Sequence, residues 1–306
     1  MVSNDALTEE PSADDAPATP AVLVFHAVDP SGAGGLTASA LAIASMGAHA
    51  LPVATGAFVR DTTRLSTFHA LDDEAIADQA RTVLEDMPVH IILVGFAGHP
   101  EAVSAIAGIA TDYADVPLIA HMPDLSWWDD DAIDTYQDAF MELLLPQTSV
   151  LVGNHNTLAR WLLPDWQGER LPGPRDLARA ASEHGVPYLL VTGIVRPDQH
   201  LENVVATPHT VLASERFERI EAAFGGAGDT LTAALAGLLA SGGELAPSTV
   251  EALRYLDQCL DAGFQPGMGQ VIPDRLFWAQ GDDESPPATE PDPQELPTDA
   301  KHELKH

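Results

Sequence analysis

Residues 222–239 read AAFGGAGDTLTAALAGLL, a glycine-rich turn that runs into an apolar stretch of good helix formers. The stretch closes on Ser241-Gly242-Gly243, which is typical of a helix C-cap. A helix that is apolar on every side is buried. Its N-terminus therefore lies inside the protein, with free N–H groups and the positive end of the helix dipole. The sequence predicts an anion site here, because glycines let a phosphate approach the backbone.

Asp229 stands at the mouth of this predicted anion site. A carboxylate repels an anion, so its presence at an anion site suggests a task of its own. In phosphoryl transfer, a positioned Asp accepts the proton of the attacking hydroxyl. The alternative is that Asp229 only caps the helix. The buried helix behind the loop favours the catalytic interpretation, and both stay open at this point.

Composition and charge restrict the class of protein. The 306 residues carry a formal net charge of −32, which argues against a nucleic-acid partner because phosphate backbones require Lys and Arg. Cys259 is the sole cysteine, so no disulfide framework within one chain and no cysteine zinc site is expected. We find no signal-peptide pattern and no apolar run of membrane-spanning length, and we expect a cytoplasmic protein without a membrane partner.

The two ends of the chain differ from its middle. Residues 1–20 and 281–306 are rich in Pro, Ala, Ser, Thr, Asp and Glu, a composition that predicts disordered acidic tails. The region between them, residues 21–280, is predicted to be one folded domain.

The middle region alternates short apolar runs with helical segments. This alternation predicts an α/β fold with a mostly parallel sheet flanked by helices, and Leu201–Phe217 is expected to add one or two antiparallel strands. Ligands of such sheets bind beyond the carboxyl ends of the strands. The histidines are scattered without metal-ligand spacing, and we interpret most of them as surface or satisfied side chains. The loops expected to converge follow the strands: Asp29–Gly35, Arg60–Thr63, Gly95–Gly98, His121–Asp124, Asn154–Thr157, Thr192–Gly193 and Gly225–Asp229.

The order of these loops resembles the hydroxymethylpyrimidine/phosphomethylpyrimidine kinases of thiamine biosynthesis, which are members of the ribokinase-like superfamily. The resemblance covers roughly residues 21–278 and is carried by four motifs. They are Asp29-Pro30-Ser31-Gly32-Ala33-Gly34-Gly35, Leu144-Leu145-Pro146-Gln147, Gly226-Ala227-Gly228-Asp229-Thr230-Leu231 and Gly267-Met268-Gly269-Gln270-Val271. The resemblance implies a three-layer ribokinase-like fold. It also implies that the protein phosphorylates a small alcohol or its monophosphate with ATP and Mg²⁺. Relatives are often dimers, which makes a homodimer the expected assembly.

The resemblance also assigns residues to roles. Gly226, Ala227 and Gly228 would form the anion hole around the transferring phosphoryl group, and Asp229 would be the base. The substrate-binding positions would be Asp29, Gly34, Ser39, Arg60 and Phe96. The nucleotide-binding positions would be Asn154, Thr192, Gly193 and Gly225. No residue is assigned to a metal.

Several of these positions depart from the family pattern. The Asn-x-x-Glu that places magnesium through water is Asn154-His155-Asn156-Thr157 here, and an Asp expected after Pro117–Ile119 is Ala120 or His121. The substrate-facing Asp, Gln and Met of the family appear as Ser39, Arg60 and Phe96. Arg60 has donors only, which favours an anionic or acceptor-rich ligand.

Three functions are compatible with this pattern. The first is a hydroxymethylpyrimidine or phosphomethylpyrimidine kinase. The second is a related kinase for another small alcohol, such as a pyridoxal-type vitamin or a sugar. The third is a non-catalytic homologue that only binds a ligand. For Asp29, a structural role as a turn residue stays open as the alternative to substrate binding.

Overall fold

A nine-stranded sheet forms the middle layer of the computed structural model, which describes residues 19–279. The strand order is β3-β2-β1-β4-β5-β6-β7-β8-β9. The pairs from β2 to β7 are parallel, and β3, β8 and β9 pair antiparallel. The expected α/β fold with a mostly parallel sheet is confirmed. Strands β1 to β9 span Ala21–Val28, His49–Arg60, Leu65–Ala70, Ile91–Val94, Leu118–His121, Val150–Asn154, Tyr188–Val195, His200–Ala206 and Val211–Glu218.

Helices cover both faces of the sheet and make two hydrophobic cores. One core includes Ile76, Ile106 and Leu177 of the helices on one face, and the other includes Ile43, Leu235 and Leu253 on the opposite face. The first face carries α2 to α6 and the second carries α1, α7 and α8. Helices α1 to α8 span Gly35–Ser45, Asp73–Asp86, Pro100–Asp112, Asp130–Ala139, His155–Leu162, Pro174–Glu183, Ala227–Ala240 and Leu245–Asp261.

Helix α7 is the buried helix that the sequence predicts. Its residues from Thr230 to Gly237 are buried, and it packs closely on α1. A β-carbon on Gly237 would come within 2.9 Å of the Met46 β-carbon, so the two helices approach at a position without a side chain. The helix ends at Ala240 with Ser241 as its C-cap, and Gly242 follows with a φ of 85°.

Two elements were missed by the sequence analysis. Strand β3 was not predicted, and residues 155–157, expected in a loop, instead begin α5. Asn154 caps that helix by accepting a hydrogen bond from the Asn156 N–H at 3.0 Å. Asp129 caps α4 in the same way, because its side chain accepts a hydrogen bond from the Ala132 N–H at 3.0 Å.

The ends of the chain fall outside the described residues. The predicted tails, 1–20 and 281–306, lie there except for Thr19 and Pro20, and their disorder and the domain limits stay predictions. Between residues 19 and 279, none of the helices is both long and apolar enough to cross a membrane.

Candidate active site

The N-terminus of α7 lies at the carboxyl edge of the parallel strands. Gly226 is its N-cap, with a φ of 74° that favours glycine. A β-carbon on Gly226 would overlap the Ala33 carbonyl oxygen, which shows how tightly this loop packs on the turn after β1. The first N–H groups of a helix have no intrahelical acceptor. An N-terminus of this kind can bind an anion, and the anion site that the glycines predict at this position stays a prediction.

Asp229 lies in the first turn of α7 and is surrounded by donors. Its Oδ2 accepts a hydrogen bond from the Gly35 N–H at 2.8 Å. Its Oδ1 lies 3.2 Å from His26 Nε2 and 3.2 Å from His121 Nδ1. Burial raises the pKa of Asp229, but the neighbouring imidazoles of His26 and His121 outweigh burial and hold it well below its ordinary value. The carboxylate is therefore ionised at neutral pH.

His26 belongs to β1 and is almost completely buried. Its Nδ1 accepts from the Ala27 N–H at 2.8 Å, so a neutral ring carries its proton on Nε2, the atom that faces Asp229. This approach is electrostatic, because Nε2 has no well-aligned hydrogen bond. Gly95 makes room for the ring, since a β-carbon there would overlap the His26 imidazole.

His121 is the last residue of β5 and lines the cleft in front of α7. His26 and His121 are exceptions to the interpretation of most histidines as surface or satisfied side chains, because both converge on the candidate base. A signal was present in the sequence, because both residues stand toward the carboxyl ends of predicted parallel strands.

Asp29 organises the turn that follows β1. Its Oδ1 accepts from the Ser31 N–H at 2.9 Å and from the Ser31 hydroxyl at 2.6 Å, and its Oδ2 accepts from the Gly34 N–H at 2.9 Å. Arg60 Nη1 lies 3.3 Å from the same Oδ2, and Arg60 Nη2 donates to Gln270 Oε1. These contacts agree with the interpretation of Asp29 as a turn residue, which also fixes the position of Arg60.

Arg275 lies beneath the two loops and was not singled out in the sequence. It is 3% exposed and donates to the carbonyl oxygens of Gly32 and Ala33 and to the Thr230 hydroxyl. Burial lowers its pKa, while the carboxylate of Asp229 opposes that change. The guanidinium therefore joins the glycine turn to the first turn of α7.

A first cleft of about 350 Å³ opens in front of Asp229. Aromatic rings form one wall: Phe96 stacks on Phe58 with 5.6 Å between centroids and meets the edge of Trp127 at 5.7 Å. Basic side chains from Arg60 and Arg64 line the same cleft. The combination suits a flat ring that carries oxygen-rich or anionic substituents.

A second cleft of about 280 Å³ lies on the other side of the α7 N-terminus. Its lining is mostly apolar, with Leu201, Phe217 and Leu256 among the contributors. Phe224 and Gly228 line both clefts. The two clefts therefore meet at the N-terminus of α7.

The predicted site residues divide between these places. Gly225, Gly226, Gly228, Asp229, Arg60 and Phe96 line the first cleft, and Thr192, Gly193, Ala227 and Gly228 line the second. Gly225, which the resemblance assigns to the nucleotide, lines the first cleft and is not among the residues of the second. Gly34 packs against the carboxylate of Asp229, because a β-carbon on Gly34 would lie 2.5 Å from Asp229 Oδ2.

Four predicted residues are not among those that line either cleft: Asp29, Gly34, Ser39 and Asn154. Ser39 is 1% exposed, and its hydroxyl donates to the Gly35 carbonyl within α1, so it is too short and too deep to reach a substrate. Asn154 is occupied as the cap of α5. These contacts argue against the roles that the resemblance assigns to Ser39 and Asn154, and both roles stay predictions.

Comparison with known proteins identifies the family. The profile of the phosphomethylpyrimidine kinase family matches residues 29–274. The chain belongs to the phosphomethylpyrimidine kinase family. The expectation of a phosphotransferase is confirmed at the level of the family, as is the resemblance noted in the sequence.

Individual relatives of this kinase family are distant. The chain is 25% identical over 266 residues to the hydroxymethylpyrimidine/phosphomethylpyrimidine kinase of Mycobacterium tuberculosis, covering 84% of this chain and 94% of that protein. It is also 25% identical over 244 residues to the chloroplastic thiamine biosynthetic bifunctional enzyme of Arabidopsis thaliana, covering 79% of this chain. The match spans only 47% of that longer relative.

The fold of this family member is shared with a solved kinase. The ADP complex of Bacillus subtilis pyridoxal kinase superposes with a TM-score of 0.75 at 17% identity, covering 84% of this chain and 98% of that one. At this identity the likeness concerns the fold, and the three-layer ribokinase-like architecture is confirmed.

Proposed function

We propose that this protein is an ATP-dependent kinase that phosphorylates hydroxymethylpyrimidine, its monophosphate or both. The observation that carries the proposal is the junction of two clefts at the α7 N-terminus, with Asp229 beside it. The aromatic and basic first cleft would hold the pyrimidine, and the apolar second cleft would hold the adenine nucleotide. Their shared boundary at Gly228 is where a phosphoryl group would pass between them.

The N-terminus of α7 supplies the electrostatics of this transfer. Its free N–H groups and helix dipole would stabilise the charge on the phosphoryl oxygens. A side chain at Gly226 or Gly228 would overlap Ala33 or His121, so glycine is needed at both positions, and Arg275 holds the two loops together from below. The proton of the attacking hydroxyl needs an acceptor at the same junction, and Asp229 is the residue that the sequence predicts for that part.

The resemblance implies Mg²⁺ as a cofactor, but the side chains that the structure describes near the two clefts do not form a site for this ion. Among the described side chains, no three His, Cys, Asp or Glu residues converge as a cation site. The acid of the family's Asn-x-x-Glu is Thr157 here, a buried residue of α5. The described side chains therefore do not form a binding site for Mg²⁺, and we assign no residue of the chain as a ligand of this ion. Mg²⁺ commonly binds through substrate phosphates and water.

A pyridoxal-type alcohol is the second candidate substrate. The fold similarity to pyridoxal kinase and the replacement of the family's Gln by Arg60 favour it, because Arg60 cannot accept a hydrogen bond from an aminopyrimidine. Cytoplasmic location and a homodimer stay predictions, and size-exclusion chromatography with light scattering would test the latter.

The decisive experiment is a substrate panel. Purified full-length protein would be incubated with Mg-ATP and, separately, with 4-amino-5-hydroxymethyl-2-methylpyrimidine, its monophosphate and pyridoxal, and products would be followed by mass. We expect phosphorylated pyrimidine that disappears in Asp229→Ala. Pyridoxal phosphate alone would move the function to the second candidate. ATP binding without turnover of any alcohol would support a ligand-binding homologue instead.

A further inference from the structure

One buried nitrogen beside the candidate base has no hydrogen bond. Among the side chains of residues 19–279, His26 Nε2 is the only buried polar atom without a hydrogen-bond partner. It lies 3.2 Å from Asp229 Oδ1, and the exposed fraction of the His26 side chain is 6%. Buried polar groups are nearly always hydrogen-bonded, so an exception at this position calls for an explanation.

The ring of His26 is held in place on two other sides. Its Nδ1 accepts a hydrogen bond from the Ala27 N–H at 2.8 Å. A β-carbon on Gly95 would overlap the ring, so the imidazole packs directly on the Gly95 backbone. Because Nδ1 is an acceptor, a neutral ring carries its proton on Nε2, the atom nearest to Asp229. His26 therefore presents a fixed N–H donor to the carboxylate.

The carboxylate of Asp229 is approached from its buried side and from the cleft. Oδ2 accepts a hydrogen bond from the Gly35 N–H at 2.8 Å. Oδ1 lies 3.2 Å from both His26 Nε2 and His121 Nδ1. The exposed fraction of the His121 side chain is 18%, three times that of His26. His26 is therefore the more buried of the two imidazoles at Oδ1.

We propose that His26 is a positioning residue for Asp229: its Nε2–H holds Oδ1 from the buried side and keeps the carboxylate in one orientation toward the cleft. The inference rests on the proposed kinase function, in which Asp229 takes the proton of the substrate hydroxyl. Hydrogen bonds of catalytic groups are often poorly aligned in the free enzyme and tighten in the substrate complex. The unpartnered Nε2 fits this pattern, and a base fixed in advance needs no reorganisation when the alcohol arrives.

His26 also affects the pH range in which Asp229 acts as a base. Burial raises the pKa of Asp229, but His26 and His121 outweigh burial and hold it well below its ordinary value. Without the His26 donor, burial is less opposed, so the pKa of Asp229 rises and protonation removes the base at a higher pH. The charged and titratable groups around Asp229 are His26 from β1, His121 from β5, Arg275 beneath the loops, and the Asp29–Arg60 pair next to Gly34.

A first experiment observes the His26 ring without turnover. Full-length protein labelled with ¹⁵N-histidine would be examined by NMR at pH 7, and the His26 signals would be assigned from their absence in His26→Gln. We expect a proton on Nε2, since Nδ1 accepts from Ala27. An unprotonated Nε2 would overturn the proposal, whatever the kinase activity.

A second experiment compares two substitutions of His26 with the substrate that the panel identifies. His26→Leu removes the donor, whereas His26→Gln keeps an N–H at the same distance along the side chain. We expect His26→Leu to lower kcat about tenfold or more and to change KM less than about threefold, because the loss concerns the orientation of the base and not substrate binding. Its rate should also decline at a higher pH than in wild type as the solution is made acidic. His26→Gln should recover most of the lost kcat.

The matched control is His209→Leu, which changes an exposed histidine between β8 and β9 and should keep the wild-type kcat and pH profile. A loss in His26→Leu that His26→Gln does not recover, or an acid limb at the wild-type pH, would overturn the positioning role and leave the kinase function intact. If His26→Leu does not fold, the protonation of Nε2 in wild type decides. No turnover of any alcohol by wild type would overturn the proposed function, and the role of His26 with it.

Discussion

The imidazole edge of His121 lies against the α-carbon of Gly228. A β-carbon at position 228 would come within 2.7 Å of two ring atoms, a distance that requires one partner to move. We therefore expect Gly228→Ala to push His121 away from Asp229 and to lower kcat about tenfold or more, because small misplacement of catalytic groups has large kinetic effects. The measurement is kcat with saturating ATP and alcohol.

Gly108→Ala is the matched control for this change. Gly108 lies inside α3, and a β-carbon there meets no atom within 4 Å. It should leave kcat unchanged and raise the free energy of unfolding by about 0.5–1 kcal/mol, since alanine favours helix over glycine. Equal kcat values for the two variants would show that the His121–Gly228 contact has no role in turnover.

Replacing Arg275 should destabilise the fold. The guanidinium is buried and supplies donors to Gly32, Ala33 and Thr230, so Arg275→Met leaves these acceptors unsatisfied and removes a positive charge near Asp229. We expect a loss of about 2–4 kcal/mol in the free energy of unfolding, measured by urea denaturation. Arg254→Met removes an exposed ion pair with Glu215 and should cost less than about 1 kcal/mol. Similar losses in both variants would contradict the role of Arg275.

Cys259 should be inert in the folded protein. It is fully buried, and burial raises the pKa of its thiol to about 11. The thiolate is the reactive form, so an aromatic disulfide reagent at pH 8 should label native protein at least about 100-fold more slowly than protein in denaturant. Because the chain has a single cysteine, the labelling rate also reports global opening. Rapid native labelling would show that α8 opens locally.

Ionised Glu202 should stabilise the folded protein, so the free energy of unfolding should fall when acid protonates this side chain. Burial raises its pKa, but Arg196, whose Nε lies 2.7 Å away, and the Ser214 hydroxyl at 2.9 Å outweigh burial and hold it below its ordinary value of 4.5. When the pKa of a carboxyl group is lower in the folded than in the unfolded protein, its ionised form stabilises the fold. This contribution is complete above the pKa of the unfolded protein and is lost as the pH falls through the pKa of the folded protein.

The corresponding variant is Glu202→Gln. At pH 7 it should cost about 1 kcal/mol in the free energy of unfolding, a figure kept low because the arginine partners are partly exposed. The difference from wild type should shrink below pH 4.5, as measured by urea denaturation at several pH values. A difference that stayed constant from pH 7 to the acid range would exclude the ionised carboxylate as its source.

The order of strands and helices could be predicted because its signals are local. The apolar run at Ala21–Phe25 and the uniformly apolar α7 need no distant partner to be recognised. Strand β3 could not be predicted in this way, since it is a half-exposed edge strand that pairs with β2. Helix α5 has eight residues and depends on the Asn154 cap and on packing.

The candidate site also has parts that the sequence predicts and parts that it does not. The glycine loop and Asp229 are adjacent in sequence, so one motif places them together at the start of α7. The convergence of His26 and His121 on Asp229 depends on the register of β1 and β5 against α7, which composition and spacing do not determine. Ser39 was assigned from the resemblance at a position where the residue type differs, and its short side chain turns back to its own helix.

Arg60 should determine how well the first cleft accepts an anion. Its guanidinium is anchored by Asp29 and Gln270 and lines the cleft beside Phe58. Arg60→Gln removes the charge, so KM for the pyrimidine monophosphate should rise about tenfold or more relative to KM for the uncharged alcohol, as expected for loss of a charge-assisted hydrogen bond. Arg64→Gln removes the same charge from an exposed residue of the same cleft and should change this ratio by less than about threefold. Equal effects in the two variants would mean that the net charge of the cleft, and not the anchored position of Arg60, selects the substrate.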